Sequence, residues 1–150
     1  MREWQAQGML RYLGITHYTA GAFAELEEII TRESIDFVQL PYSIALRTAE
    51  SRILSVAADH GVGVIVNRPF EGGSLFDAVD GISIPTWANE FDCSNWSVFF
   101  LKYLISHPAV TCVIPATRNI DHLVDMLQAG IGVLPDDSQK KRMNSFIEEL

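Results

Sequence analysis

Short apolar stretches alternate with amphipathic stretches along the whole chain, and this alternation is the main structural signal in the sequence. The last two apolar stretches are nearly continuous, and all are rich in Val, Ile, Leu and aromatic residues. Such runs are typical of strands covered on both faces, so we predict four strands of a parallel sheet. They are LRYLGIT (Leu10–Thr16), IDFVQL (Ile35–Leu40), VGVIV (Val62–Val66) and VTCVI (Val110–Ile114).

An amphipathic helix is predicted after each strand, because apolar residues recur at helical spacing behind a polar residue that suits a helix N-cap. A fifth helix is predicted from about Asp136 to the C-terminus, with Met143, Phe146 and Ile147 on its apolar face. The predicted N-caps of the first four helices are Thr19, Thr48, Ser94 or Asn95, and Asn119.

The connection between the third and fourth strands is longer than the others. The segment EGGSLFDAVDGISIPTWANEFDCS contains three glycines and a proline, so we predict a long loop that covers a site. Three aromatic residues, Trp87, Phe91 and Trp96, either line a substrate pocket there or plug an exposed face of the sheet. We favour the second role.

Four strand–helix units in series predict either a doubly wound sheet or part of a (β/α)8 barrel. The first three predicted strands start about 26 residues apart, which is compact for such a unit. With 150 residues and no linker or low-complexity stretch, the chain is predicted to form one domain, residues 1–150.

Composition and charge narrow the functional classes. The chain is 48% hydrophobic and carries a net charge of −8, which disfavours a phosphate-tracking basic surface and hence nucleic-acid binding. No apolar run suits a membrane span and the N-terminus lacks the apolar core of a signal peptide. Cys93 and Cys112 have no His or Cys at ligand spacing, which argues against a zinc site or a disulfide framework. We expect a cytoplasmic protein that binds neither nucleic acid nor membrane.

Polar side chains follow every predicted strand, at the edge where parallel α/β folds bind ligands. Amide side chains suit a neutral carboxamide, whereas arginines and helix-start N–H groups suit phosphate. The combination indicates a nucleotide, and the alternative that these residues only cap loops and helices remains open. The segments are Thr16–Tyr18, Gln39–Tyr42, Asn67–Phe70 and Pro115–Asn119.

Four of these blocks in sequence resemble the aldo-keto reductases: LRYLGITHY, IDFVQLPYS, HGVGVIVNRPFEGG and HPAVTCVIPATRNIDHL. Their order and spacing match over essentially the whole chain. The resemblance implies that the chain is the second half of an eight-stranded barrel: four consecutive βα units plus a C-terminal helix. In the family frame Met1 falls inside a helix, which favours a truncated chain or a fragment.

The resemblance also implies a site for NADP(H) or NAD(H). The positions that grip the nicotinamide carboxamide are Thr16, His17 and Gln39, of which His17 departs from the family's asparagine. Asn67 stands where an aromatic residue usually stacks on the nicotinamide ring, with Arg68 as the nearest substitute. In the same frame Arg68 and Phe70 line the pyrophosphate.

The adenosine end is implied to lie after the fourth strand. The loop around the 2′-phosphate is matched by Ala116, Thr117 and Arg118. Ala116 stands where many NADPH-preferring members have a lysine, and Arg118 could supply the positive charge of that lysine. His122 and Asp125 match positions that approach the adenine nucleotide, while Met126 replaces an asparagine there. The preference between NADH and NADPH stays open at this point.

The family's catalytic aspartate, tyrosine, lysine and histidine belong to the first half of the barrel. None of the three lysines of this chain follows a predicted strand; they are Lys102, Lys140 and Lys141. We therefore expect the chain alone to be inactive. A small carbonyl substrate is expected only when a complementary half is present. His17 as a substitute acid is the less favoured alternative to a hydrogen-bonding role. A half-barrel has two open edges, which predicts a homo-oligomer or a complementing half-barrel. The competing interpretation is a non-catalytic assembly domain.

Overall fold

The computed structural model describes all 150 residues. Single 3₁₀ turns fill several of the connections. In chain order the helices and strands are α1 (Arg2–Ala6), β1 (Gly14–Thr16), α2 (Phe23–Arg32), β2 (Phe37–Pro41), α3 (Ile53–Asp59), β3 (Gly63–Asn67), α4 (Ser74–Ala78), α5 (Trp96–Ile105), β4 (Val110–Val113), α6 (Ile120–Leu127) and α7 (Asp137–Glu148).

The four strands form one parallel sheet in the order β1-β2-β3-β4. In register, Phe37 of β2 lies between Gly14 of β1 and Gly63 of β3, and Val64 pairs with Val110. Each strand lies beside the next strand in sequence, without the reversal of order that a doubly wound sheet requires. The fold is therefore that of a half-barrel, as the resemblance predicts, and the doubly wound alternative is wrong.

One face of the sheet is buried beneath the helices and the other is open. Val38, Leu40, Val64 and Val66 are fully buried in a core that includes the apolar faces of α2, α3 and α5. The alternate residues of the same strands, such as Ile65, are only partly buried. Since side chains alternate along a strand, these residues form a second face, which no element of this chain covers.

Two helices begin at their predicted caps, and the last helix begins close to its predicted start. The backbone N–H of Val98 donates to Asn95 Oδ1 at 2.9 Å, so Asn95 and not Ser94 caps α5. Asn119 caps α6, and Asp136 forms a capping box at the start of α7.

The other two predicted caps are wrong. Thr19 and Thr48 make no side-chain capping bond, because each stands at a 3₁₀ turn that separates it from its α-helix. As a result α2 begins at Phe23 and α3 at Ile53, beyond the reach of either hydroxyl. A threonine far from the first helical N–H groups cannot satisfy them.

The first strand is shorter than predicted, and the long insertion is more ordered. Leu13 donates its backbone N–H to the side chain of Asp36 at 2.7 Å rather than to a strand, so pairing begins only at Gly14. The other strands differ from the prediction by one or two residues. The insertion contains α4 and the 3₁₀ segments Glu71–Gly73 and Thr86–Phe91.

The aromatic residues of the insertion lie on the helix side of the sheet, so the prediction that they plug an exposed sheet face is wrong. Phe91 is fully buried, and the ring of Trp87 contacts Phe91 and Phe99 of α5 as well as Phe146 of α7. These ring contacts pack the insertion and the last helix against α5. Aromatic side chains bury a large apolar area, so their packing in the core stabilises this arrangement.

A buried lysine fastens the same region. Lys102 of α5 is fully buried, and its ammonium donates to the backbone carbonyls of Phe91, Ile131 and Val133 at 2.8–2.9 Å. Asp92 adds a bond by accepting the backbone N–H of Val133 at 2.9 Å. The ammonium is satisfied entirely by carbonyl oxygens, and it joins the insertion, α5 and the segment before α7.

Candidate functional site

A cleft of about 830 Å³ lies where the loop after β3, the start of α5 and helix α6 meet. It sits at the carboxyl ends of β3 and β4, which is where barrel and open α/β folds place their ligands. Its lining includes Arg68, Phe70, Gly72, Gly73, Asn95, Trp96, Ser97, Ala116, Thr117, His122, Asp125 and Met126.

The loop after β3 is folded tightly by residues in the left-handed region. Arg68 and Glu71 have φ values of 52° and 50°, and Gly72 and Gly73 have φ values of 73° and 111°. Left-handed backbone costs non-glycine residues about 1–2 kcal/mol each, so the surrounding packing must hold this loop in place. The two glycines leave the backbone free of side chains, which permits close approach of a phosphate group.

The charges of this loop are paired with each other. Arg68 Nη2 lies 3.8 Å from Glu71 Oε2, and about half of the arginine side chain is exposed. The other carboxylate oxygen, Glu71 Oε1, is buried without a hydrogen-bond partner. Arg68 therefore faces the cleft with its charge partly offset.

A second group of predicted site residues forms a strip across the carboxyl ends of β1, β2 and β3. Thr16 Oγ1 donates to Gln39 Oε1 at 2.7 Å, because parallel pairing sets these residues side by side. Asn67 Nδ2 donates to the backbone carbonyl of His17 at 3.1 Å, and Asn67 Oδ1 is buried without a partner. The strip meets the cleft at Asn67 and Arg68, which are consecutive in the chain.

The structure thus brings most of the predicted site residues into two adjoining groups. Arg118 belongs to neither, since it is exposed, forms no ion pair and does not line the cleft. The cleft includes six of the predicted residues, Arg68, Phe70, Ala116, Thr117, His122 and Asp125, and the strip includes Thr16, His17, Gln39 and Asn67.

Sequence reasoning found the contribution of α5 only in part: pocket lining was the less favoured alternative for Trp96, and Asn95 and Ser97 were missed as lining residues. Asn95, Trp96 and Ser97 line the cleft, and the indole N–H of Trp96 donates to the carbonyl of Ile82 at 2.9 Å. The sequence did indicate that the start of α5 lies near the site, because Asn95 was a predicted N-cap. Helix starts that follow parallel strands lie at the ligand-binding edge.

The shifted pKa values lie away from the cleft. Tyr42 and Tyr103 both donate to Glu50 Oε1 at 2.6 Å, and burial with these bonds raises the pKa of Tyr103 to about 12 and that of Tyr42 further. Burial also raises the pKa of the Cys93 thiol to about 12 and lowers that of His107. A tyrosine with a raised pKa is a weaker proton donor, so this cluster acts structurally.

The lysines likewise lie outside the cleft. The ammonium of Lys102 donates its hydrogen bonds to three backbone carbonyls. The ammonium of Lys140 lies 5.3 Å from the ring centre of Tyr103. No group of His, Cys, Asp and Glu side chains is arranged to hold a metal ion. Every helix is too short or too polar to cross a lipid bilayer.

Comparison with known proteins agrees with the fold. The aldo/keto reductase family model matches residues 1–148. The chain thus has the fold of a barrel-type α/β protein, and it belongs to the aldo/keto reductase family. No curated protein sequence matches it.

Solved structures share the fold at low sequence identity. An aldo/keto reductase from Klebsiella pneumoniae in complex with NADP and acetate matches 98% of this chain with a TM-score of 0.77 and 22% identity. The holo form of an aldo-keto reductase from Bacillus halodurans matches 96% with a TM-score of 0.75 and 22% identity. In each case the match covers 52% of the solved chain, so this chain spans about half the length of these proteins.

Proposed function

We propose that this chain is the cofactor-holding half of an aldo-keto reductase, and that it positions a nicotinamide dinucleotide for reduction of a small carbonyl compound. The observation that carries the proposal is the junction of the polar strip and the cleft at Asn67 and Arg68. Together they run along the carboxyl ends of the four strands, which suits an elongated ligand with a polar amide at one end and phosphates at its centre.

The strip has the hydrogen-bonding groups that a carboxamide needs. Because the Thr16 hydroxyl donates to Gln39 Oε1, the Nε2 group of Gln39 remains available as a hydrogen-bond donor. Asn67 Oδ1 is a buried acceptor that receives no hydrogen bond within the protein. A carboxamide offers one acceptor and one donor group, which complements this pair. When bound, the dinucleotide supplies the hydride, and the residues of the strip fix the orientation of its ring.

The cleft has features that suit the rest of the dinucleotide. Arg68 and the glycines of the strained loop suit the pyrophosphate, and His122 and Asp125 of α6 face the volume left for the adenosine. The proton donor to the carbonyl oxygen is proposed to come from a complementary half, because the family's catalytic residues belong to the other half of the barrel. Alone, the chain is proposed to bind cofactor without turnover.

Calorimetric titration with NADPH and with NADH, at concentrations up to millimolar, tests the proposal directly. Binding in the micromolar range is expected, and Gln39→Leu should weaken it about tenfold because a carboxamide partner is lost. Gln7→Leu is the matched control, since Gln7 is exposed and makes no side-chain hydrogen bond. Absence of binding for both cofactors at millimolar concentration would overturn the proposal.

A second candidate function, a self-associating assembly domain, is favoured by the open surfaces of the sheet and of α6. Ile120, Val124 and Leu127 are 76%, 52% and 63% exposed, an apolar surface that proteins usually cover. Two measurements test this candidate: light scattering and the rate at which Cys112 is alkylated. Cys112 is exposed and pairs in register with Ile65 on the open face of the sheet. A dimer with a protected Cys112 supports it, and a monomer with a reactive Cys112 contradicts it.

A further inference from the structure

We infer that Phe146 of the last helix, α7, is a positioning residue for the cleft. Its ring holds the indole of Trp96, which lines the cleft, in the orientation that a bound ligand meets. The inference rests on the proposed function, because the ligand is the dinucleotide proposed for the same cleft. It is carried by a set of aromatic contacts that connects α7 to the lining.

Three contacts hold the indole of Trp96. It is stacked with the ring of Phe146 at a centroid distance of 6.0 Å and an interplanar angle of 29°, and with the ring of Phe100 at 5.7 Å and 23°. Its N–H donates to the backbone carbonyl of Ile82 at 2.9 Å. Phe100 belongs to the same helix as Trp96 and Ile82 belongs to the insertion, whereas Phe146 comes from a separate helix.

The same rings support the apolar wall of the cleft. Phe70 and Phe76 line the cleft together with Trp96, and both contact the fully buried ring of Phe100, at centroid distances of 6.4 and 5.7 Å. Of the three lining rings, Trp96 is the one that also stacks on a ring of α7. Trp96 is therefore the part of the wall whose orientation depends on α7.

Phe146 itself has a defined position. Met143 of α7 is fully buried, and the guanidinium of Arg142 lies 4.4 Å from the ring centre of Trp87, whose ring contacts Phe146 edge-on at 6.1 Å. Because aromatic pairs prefer particular geometries, the fixed ring of Phe146 restricts the orientation of Trp96. Without that ring the indole would have space to turn away from the cleft, and a ligand would have to order it again at a cost in affinity.

Two substitutions of Phe146 and one control test whether α7 acts on the cleft or only on stability. Phe146→Leu removes the ring and keeps an apolar side chain, and Phe146→Tyr keeps the ring. Ile147→Ala is the matched control, because Ile147 is the next residue of α7, is partly buried against the core and has no ring to stack on Trp96. Urea midpoints measure the loss of stability in each variant.

Affinity is measured by calorimetry with whichever of NADPH and NADH binds the wild type more tightly. We expect Phe146→Leu to weaken binding by about threefold to tenfold, which corresponds to the loss of one aromatic pair. Phe146→Tyr should bind as the wild type does, because the ring is retained. Ile147→Ala should also keep the wild-type affinity, even where its stability falls as far as that of Phe146→Leu.

The indole N–H of Trp96 gives a second readout, which needs no ligand. In an isotope-labelled chain, nuclear magnetic resonance shows one indole signal for each of the three tryptophans, and Trp96→Phe identifies that of Trp96. Its bond to Ile82 should slow exchange of the indole hydrogen with solvent. Phe146→Leu should speed this exchange by about threefold or more, and Ile147→Ala should leave it unchanged.

Equal losses of affinity in Phe146→Leu and Ile147→Ala would mean that α7 acts only through stability, and would overturn the inference. It is also overturned if Phe146→Leu binds the cofactor as tightly as the wild type, or if the Trp96 indole of that variant exchanges at the wild-type rate. If neither cofactor binds the wild-type chain, the proposed function fails, and the indole exchange still decides whether Phe146 holds Trp96.

Discussion

Replacing Lys102 with methionine removes the ammonium that joins the insertion, α5 and the segment before α7. The side chain is fully buried and donates to the carbonyls of Phe91, Ile131 and Val133. Hydrogen bonds to a charged group contribute about 1.5–3 kcal/mol each, and burying the ammonium costs several kcal/mol. The difference predicts that Lys102→Met lowers the free energy of unfolding by about 3 kcal/mol.

Urea denaturation followed by tryptophan fluorescence measures this loss. With a slope of about 2 kcal/mol/M, the midpoint should fall by about 1.5 M while the slope is unchanged. Lys141→Met is the matched control, because Lys141 is exposed and should change stability by less than about 0.5 kcal/mol. If Lys102→Met proves as stable as the control, the carbonyl bonds do not stabilise the fold and the reasoning is refuted.

Three further predictions concern pH, thiol reactivity and backbone conformation. The pKa of Tyr103 is about 12 in the folded protein and 10.0 in the unfolded chain. The contribution of Tyr103 to stability is therefore complete below pH 10 and is lost between pH 10 and 12. Across that range, the denaturation midpoint should fall less steeply in Tyr103→Phe than in the wild type. In a thiol assay on the monomer, the exposed Cys112 should react at once and the buried Cys93 only after unfolding, and two rapid reactions would contradict the packing. Gly132→Ala should destabilise the fold by about 2 kcal/mol or more, because φ is +77° there and the new Cβ would clash with the carboxylate of Asp92; an unchanged denaturation midpoint would refute this.

Local signals in the sequence predicted the parts of the fold that depend on neighbouring residues. Asn95, Asn119 and Asp136 cap their helices because the cap and its N–H partner lie within three residues of each other. Thr19 and Thr48 carry the same local signal, but the chain inserts a 3₁₀ turn after each. The length of such a turn is set by how the following helix packs, which the sequence pattern does not contain.

Side-chain direction was the main feature of the site that could not be predicted. The resemblance aligned Ala116, Thr117 and Arg118 with one loop, yet only the first two line the cleft. Similarly, Lys102 was predicted to lie in a helix, but its carbonyl partners at Ile131 and Val133 are about 30 residues away in sequence. Interactions between distant segments depend on the assembled fold, so a one-dimensional pattern cannot show them.

The consecutive strand order implies a sequence of events during folding and local opening. The register joins Gly14 to Phe37 and Phe37 to Gly63, but Val64 to Val110, so the last pairing closes a loop about twice as long as the others. Each doubling of loop length adds about 0.6 kcal/mol of closure entropy. The unit of β4 and α6, which carries six of the fifteen residues that line the cleft, should therefore join the sheet last and exchange its amide hydrogens first. A ligand that bridges β3 and α6 would slow that exchange, and would thereby hold this unit against the sheet.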